Sequence, residues 1–173
     1  MKKSIILLVT LILCGTLAKA QFSHLKDVKL QSAKDYTEYT EQIFDCSDYI
    51  LLTPYDKKDK ERTTAINFVT RWLEGSPEYS FFISDNIKVI TEERDDLLGL
   101  YTTCYAKIIV ENEGAITNHE KIENLAINSL LEYCGNQINK VKPTKEMKNL
   151  IVLKNNGELA SLSSYFLSKK EAN

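Results

Sequence analysis

Arg62–Tyr79 reads RTTAINFVTRWLEGSPEY and contains the only tryptophan of the chain, Trp72. Ala65, Ile66, Val69, Trp72 and Leu73 recur at steps of three and four, with Phe68 at the flank. That spacing puts one apolar stripe on a helix running from about Lys60 to Glu74. Gly75 is a permissive residue for ending such a helix, and Pro77 follows where proline commonly stands beyond a helix end. The stretch divides in two. Ala65–Leu73 is a packing half with Trp72 as its core anchor. Glu74–Tyr79 is an exposed corner, where Glu74, Ser76, Glu78 and Tyr79 are the residues a partner would meet.

Working backwards from this helix, Tyr55–Glu61 mixes both charge signs and reads as a solvated loop, with Tyr55 a further candidate for partner contact. Before it, Tyr36, Tyr39, Ile43, Cys46 and Ile50 form a second helical seam. Ser32 is its candidate N-cap, with Asp35 in the first turn, and Pro54 ends it because the residue before a proline avoids helical geometry. Residues 21–31 are a polar lead-in.

Working forwards, the period changes. Tyr79, Phe81 and Ile83 alternate, Ser84-Asp85-Asn86 intervenes, and Ile87 and Val89 alternate again. Two readings fit residues 79–90: a short β-hairpin or an extended crossover. The crossover is preferred, since a lone two-stranded hairpin is marginal. A helix is expected from near Thr91, with Glu92, Glu93, Asp95 and Asp96 at its positive end. Leu97, Leu98, Tyr101, Cys104, Tyr105 and Ile108 make it the central helix, and Gly99 inside it points to a close helix crossing. A further helix starts around Asn118 and ends at Cys134-Gly135, and another is capped by Thr144 and stopped at Asn155-Asn156-Gly157. Leu159, Leu162 and Phe166 mark a last amphipathic segment. The sum is an all-α compact bundle of five to six helices, one domain over residues 32–168, with a frayed tail at 169–173.

Residues 1–20 read as a secretory signal peptide. Met1-Lys2-Lys3 is a basic start, Ile5–Leu13 an apolar run, and Ala18-Lys19-Ala20 a cleavage site before Gln21. Cys14-Gly15 offers a second reading, lipidation of Cys14, against which Leu13 stands where a small residue is usual. Periplasmic or secreted location follows from either. No later stretch approaches the roughly 18 consecutive apolar residues of a membrane helix. Cleavage removes three of the 22 basic residues and none of the 24 acidic ones, taking the net charge from −2 to −5. An acidic chain is a poor fit to nucleic acid, whose binding rests on neutralising phosphates, and suits a partner with a basic patch. Cys46, Cys104 and Cys134 remain. They are read either as three small core residues or as one bridge, Cys46–Cys104, with one thiol over.

Catalytic constellations are missing from the pattern. Histidine occurs twice, at His24 and His119, and only His119 has an acidic residue four positions on, Glu123. Such a pair supplies two ligands, short of a zinc site. There is no GxSxG turn, no glycine-rich phosphate loop and no CxxC pair. No metal or cofactor is expected. Nine tyrosines are spread through the chain, most explained by core filling with a polar tip at the surface.

Two stretches resemble a known family. Cys46-Ser47-Asp48-Tyr49-Ile50-Leu51, and later Trp72-Leu73, Pro77-Glu78 and the following Phe81–Ile90, are similar to the small exported helical immunity proteins that protect bacteria from type VI secretion effectors, notably the amidase-immunity type. The resemblance implies a protein that plugs the active site of an effector, with the first cysteine in a disulfide. Over more of its length the chain also looks like exported helical proteins of unknown function from Gram-negative bacteria. The leading expectation is a non-enzymatic exported helical protein that binds a protein partner, with an immunity protein that occludes a toxin as its most concrete form. The alternatives are an envelope module for a small apolar ligand and, behind it, a hydrolase built on two carboxylates.

Overall fold

The computed structural model describes residues 21–159 and 161–171. The signal-peptide and Cys14 expectations fall on residues 1–20, outside the described residues. Eight α-helices are present among the described residues: α1 Ala33–Glu38, α2 Thr40–Leu52, α3 Lys60–Gly75, α4 Asp85–Thr91, α5 Asp95–Glu111, α6 His119–Gly135, α7 Lys145–Asn155 and α8 Leu162–Glu171. Two 3-10 turns, Ser23–Lys26 and Gln137–Asn139, complete the order. Among the described residues no helix is long and apolar enough to cross a membrane.

The centre is α5, which packs on α2, α3 and α6. Tyr101, Thr102, Thr103, Cys104, Tyr105 and Ala106 are buried in unbroken succession, so this helix is enclosed on all sides rather than striped. Its threonines avoid stranding polar atoms by turning back on the helix: Thr102 and Thr103 donate to the carbonyls of Leu98 and Gly99. At Gly99 a Cβ would lie 2.8 Å from Ile66 Cγ2, so the absent side chain is what lets α3 approach.

On α3, Asp59 is the N-cap and accepts from the amides of Glu61 and Arg62. The buried face carries Ala65, Val69, Trp72 and Leu73 as expected of the seam, but Phe68, expected at the flank, is fully buried and Ile66 only partly, and Arg62 is buried too, only 2 % exposed. Among the described residues no carboxylate meets the Arg62 guanidinium. It donates instead to the carbonyl of Ile50 at 2.8 Å, the hydroxyl of Tyr133 at 2.7 Å and Oγ1 of Thr53 at 3.2 Å. Tyr133 in turn donates to the Thr53 carbonyl. These carbonyls are the open end of α2, where helix geometry leaves acceptors without partners and partial negative charge. Arg62 thus caps α2 from α3 and ties both to α6.

Several expectations need correcting. The β-hairpin is not seen among the described residues, and the crossover is only half extended. Residues 79–84 are irregular, but α4 follows, capped by Ser84, whose hydroxyl accepts from the Ile87 amide. The apolar pair that matters is Ile87 and Ile90, both buried, while Val89 is exposed. The alternation Ile87–Val89 misdirects because one of its two members never reaches the core. The helix expected from near Thr91 begins at Asp95. Thr91 closes α4, and Glu92 and Glu93 take left-handed geometry, with φ of 52° each, to turn the chain. Only Asp95 and Asp96 therefore sit in the first turn of α5. The first seam is two helices, broken at Tyr39 (φ −93°, ψ 9°), which with α4 lifts the count above six.

The remaining boundaries follow the caps. Asn118 and Thr144 both accept from amides of the helices they open. Thr144 also donates to the Ile90 carbonyl, joining α7 to α4. The buried carboxylate of Glu146 receives Tyr165 Oη at 2.7 Å and Lys169 Nζ at 2.6 Å, which fastens α8 to α7. In the lead-in, Phe22 and Leu25 are buried. Arg71 holds that segment on α3 through the carbonyls of Leu25 and Val28.

Candidate functional site

The corner after α3 is the best-built recess. Gly75 ends the helix and Ser76 turns away in extended geometry (φ −63°, ψ 128°). The chain then runs past Glu78 to Tyr79, whose ring packs on Trp72 with centroids 5.7 Å apart. These residues line a cleft of about 200 Å³, closed on the other side by Tyr36 and Thr40 and by Ile109 and Val110 of α5. Trp72 is fixed in the floor because its indole N–H donates to the Tyr36 carbonyl at 2.8 Å. Tyr36 lies across Gly75, where any Cβ would collide with its hydroxyl. Beyond α5, Gly114 (φ +72°) brings the chain under Tyr79, and Glu113 joins the rim.

From floor to rim the cleft passes from apolar to acidic. Trp72 and Ile109 are buried, Tyr36, Tyr79 and Val110 half-buried, and Glu78 and Glu113 exposed. Burial, followed by the nearby Glu78 charge, raises the Tyr79 hydroxyl above the usual tyrosine range, so it stays a neutral donor.

Of the residues singled out for partner contact, the structure brings Ser76, Glu78 and Tyr79 together around Trp72, but of these three only Glu78 is exposed as expected of the corner: Ser76 is buried and Tyr79 half-buried. Glu74 is exposed on the last turn of α3. Tyr55 lies elsewhere, half-buried, its amide donating to the Asn139 carbonyl and its ring under the Arg62 guanidinium at 5.4 Å. Tyr36, Ile109 and Glu113 were not legible as members of a site, since they reach it from two other parts of the chain, α1 and the end of α5. Cys46, Cys104 and Cys134 are free, buried thiols, with no Cys46–Cys104 bridge formed. Burial pushes the Cys46 and Cys134 thiols up to about 12 and raises Cys104 as well, which suppresses the reactive thiolate.

A second polar cluster surrounds His119. Tyr105 Oη is 2.7 Å from its Nδ1, and Glu123 Oε2 lies 3.4 Å from its Nε2. Nε2 itself is buried and makes no hydrogen bond among the described residues. Burial, helped by Glu123, pushes the Tyr105 hydroxyl up to about 12, which keeps it a donor. Phe82 stacks over the imidazole at 4.0 Å between centroids, and Ser84 donates to Glu123 Oε1. The cluster fastens the 79–84 strap and the start of α6 onto α5. Among the described residues no group of three or more metal-ligating side chains occurs.

A larger hollow, about 640 Å³, runs along the outer face of α3 and is lined by Lys26, Lys60, Thr63, Asn67 and Arg71, among others. Lys26 in its lining stands three residues after Ser23, the Ser-x-x-Lys spacing of some acyl-transfer sites and a correction to the expectation that this spacing is absent. Both residues are exposed, so no enclosed site holds them. Comparison of the chain with protein-family models, curated proteins and solved structures finds no match.

Proposed function

We propose that this is an exported helical protein that binds a protein partner through the corner after α3, with immunity against an exported toxin as the most concrete form. The observation that carries the reading is the convergence of Ser76, Glu78 and Tyr79 on one aromatic-floored cleft at a surface corner. Aromatic side chains held rigid by packing are favoured anchors in protein interfaces. The cleft is smaller than the roughly 300 Å³ at which small-molecule sites begin, and this supports a protein contact over an apolar ligand. The reactive-type side chains Tyr105 and His119 serve internal hydrogen bonding beneath Phe82, which supports a non-enzymatic role. Acidic charge and the signal peptide expected at the N-terminus agree with an envelope partner carrying a basic surface.

The test is direct. The product of the neighbouring gene is purified and mixed with the protein spanning Gln21–Asn173, and complex formation is followed by size exclusion with light scattering. A one-to-one complex that Tyr79→Ala weakens is expected. Absence of any complex, together with a deletion strain that resists its siblings as well as the parent does, would sink the immunity form.

A further inference from the structure

Resting on the partner-binding reading, we infer that the cleft between Trp72, Tyr36 and Tyr79 is the acceptor for one lysine or arginine side chain of the partner. A long cationic side chain is amphipathic along its length, with an apolar stem and a charged head. The cleft has the same gradient. Trp72 and Ile109 give a buried floor, Tyr36 and Tyr79 give half-buried walls, and Glu78 and Glu113 stand exposed at the rim. The volume of about 200 Å³ holds one side chain and excludes a helix or a folded edge.

Charge selects the cation. None of the residues lining the cleft is basic. Neither the Glu78 nor the Glu113 carboxylate has a hydrogen-bond or ion-pair partner among the described residues, whereas Glu111, at the end of α5, is engaged by Lys107 at 3.1 Å. An anion in the cleft would face both carboxylates. A neutral apolar side chain would fill the floor and bring these charges toward a less aqueous setting with nothing in exchange. A cation satisfies them and gains from the electron-rich faces of the tyrosine and tryptophan rings. The indole N–H is already spent on the Tyr36 carbonyl, so the tryptophan offers its ring rather than a hydrogen bond.

Trp72 is the only tryptophan, so its fluorescence reports on this cleft and nothing else. Titration with N-acetyl-lysine methylamide and N-acetyl-arginine methylamide is expected to give a saturable change, and the neutral N-acetyl-norleucine methylamide none. The double variant Glu78→Gln, Glu113→Gln changes only exposed side chains. It is expected to keep the parent circular dichroism and to weaken the cationic probes about tenfold, the equivalent of roughly 1.4 kcal/mol. No saturable change up to the solubility limit of both cationic probes overturns the inference, as does an equal response to norleucine or an unchanged affinity in the double variant. The partner reading is separated by the complex itself. A complex indifferent to the double variant rejects the cation acceptor and leaves partner binding standing. Saturable cation binding without any complex does the reverse.

Discussion

Helix α3 borders two hollows that differ in almost every respect. The groove on its outer face is the larger, about 640 Å³, and presents lysines, threonines and an asparagine. The cleft at its C-terminal end is about 200 Å³, with an aromatic floor and acids at the rim. Size favours the groove, but its strongest donor is already committed: Arg71 spends its guanidinium on the carbonyls of Leu25 and Val28, and Thr63 donates to the carbonyl of Asp59. In the cleft the rigid parts are buried and the charged parts are unpaired. Among the described residues both hollows keep unpaired charge, Lys26 and Lys60 in the groove and Glu78 and Glu113 in the cleft, and the fixed aromatic floor beneath that charge is what sets the cleft apart.

The sharpest way to break this contrast is to remove the floor. Trp72→Ala should cost ~3–5 kcal/mol, read as a lower midpoint in urea by circular dichroism, and should abolish the cleft while leaving the groove. Next comes the pair of arginines on α3. Arg62→Ala leaves the Ile50 carbonyl and the Thr53 and Tyr133 hydroxyl oxygens without their donor, while the Thr53 carbonyl keeps Tyr133, and should cost about 3 kcal/mol. Arg71→Ala frees an exposed contact and should cost less than about 1 kcal/mol. Equal losses at the two positions would show that burial does not distinguish them. Gly75→Ala should displace the Tyr36 ring from the cleft wall, shift Trp72 emission, and lower stability by about 1 kcal/mol, since a mobile ring can yield.

Two smaller effects sharpen the boundary of the region. Alkylation without reductant should add nothing to the native Gln21–Asn173 protein and three groups once it is unfolded, by intact mass; a single addition after unfolding would instead reveal a bridge. The least effect belongs to Asp35, whose carboxylate accepts from the amides of Gln31 and Ser32 at 2.8 Å each. Those backbone hydrogen bonds hold it below its ordinary value of 3.8. A depressed carboxylate contributes above its unfolded value and loses the contribution as pH falls through the folded one. The Gln31 and Ser32 amide resonances should therefore move only as the solution is acidified below about pH 4, while Asp35→Asn should remove the transition.

Much of the framework was legible. The α3 seam, the enclosed α5, the Asn118 and Thr144 caps and the close crossing at Gly99 each follow from local chemistry that the sequence displays. α4 was misread because it is short, and because two alternating apolar residues in a row of four look the same in a strand as in a single helical turn. Ser84, three residues before Ile87, was the available cap signal. Arg62 was missed because an arginine directly after Lys60 and Glu61 resembles a solvated face, and its acceptors are set by how α2 ends and where α6 passes. Half of the cleft was visible as the corner 74–79. Its other wall needed Tyr36 and Glu113, brought near only by tertiary packing.

Arg62 carries one consequence for conditions outside a buffered interior. Its charge is balanced by carbonyls and hydroxyls, none of which titrates as a carboxylate does. Acidification that neutralises surface acids, or salt that screens surface pairs, reaches the rim of the cleft and leaves this joint alone. This one joint between α2, α3 and α6 is thereby insulated from swings in the medium, whereas the Asp59 cap of α3 and the Glu146 tie between α7 and α8 rest on carboxylates and stay open to them.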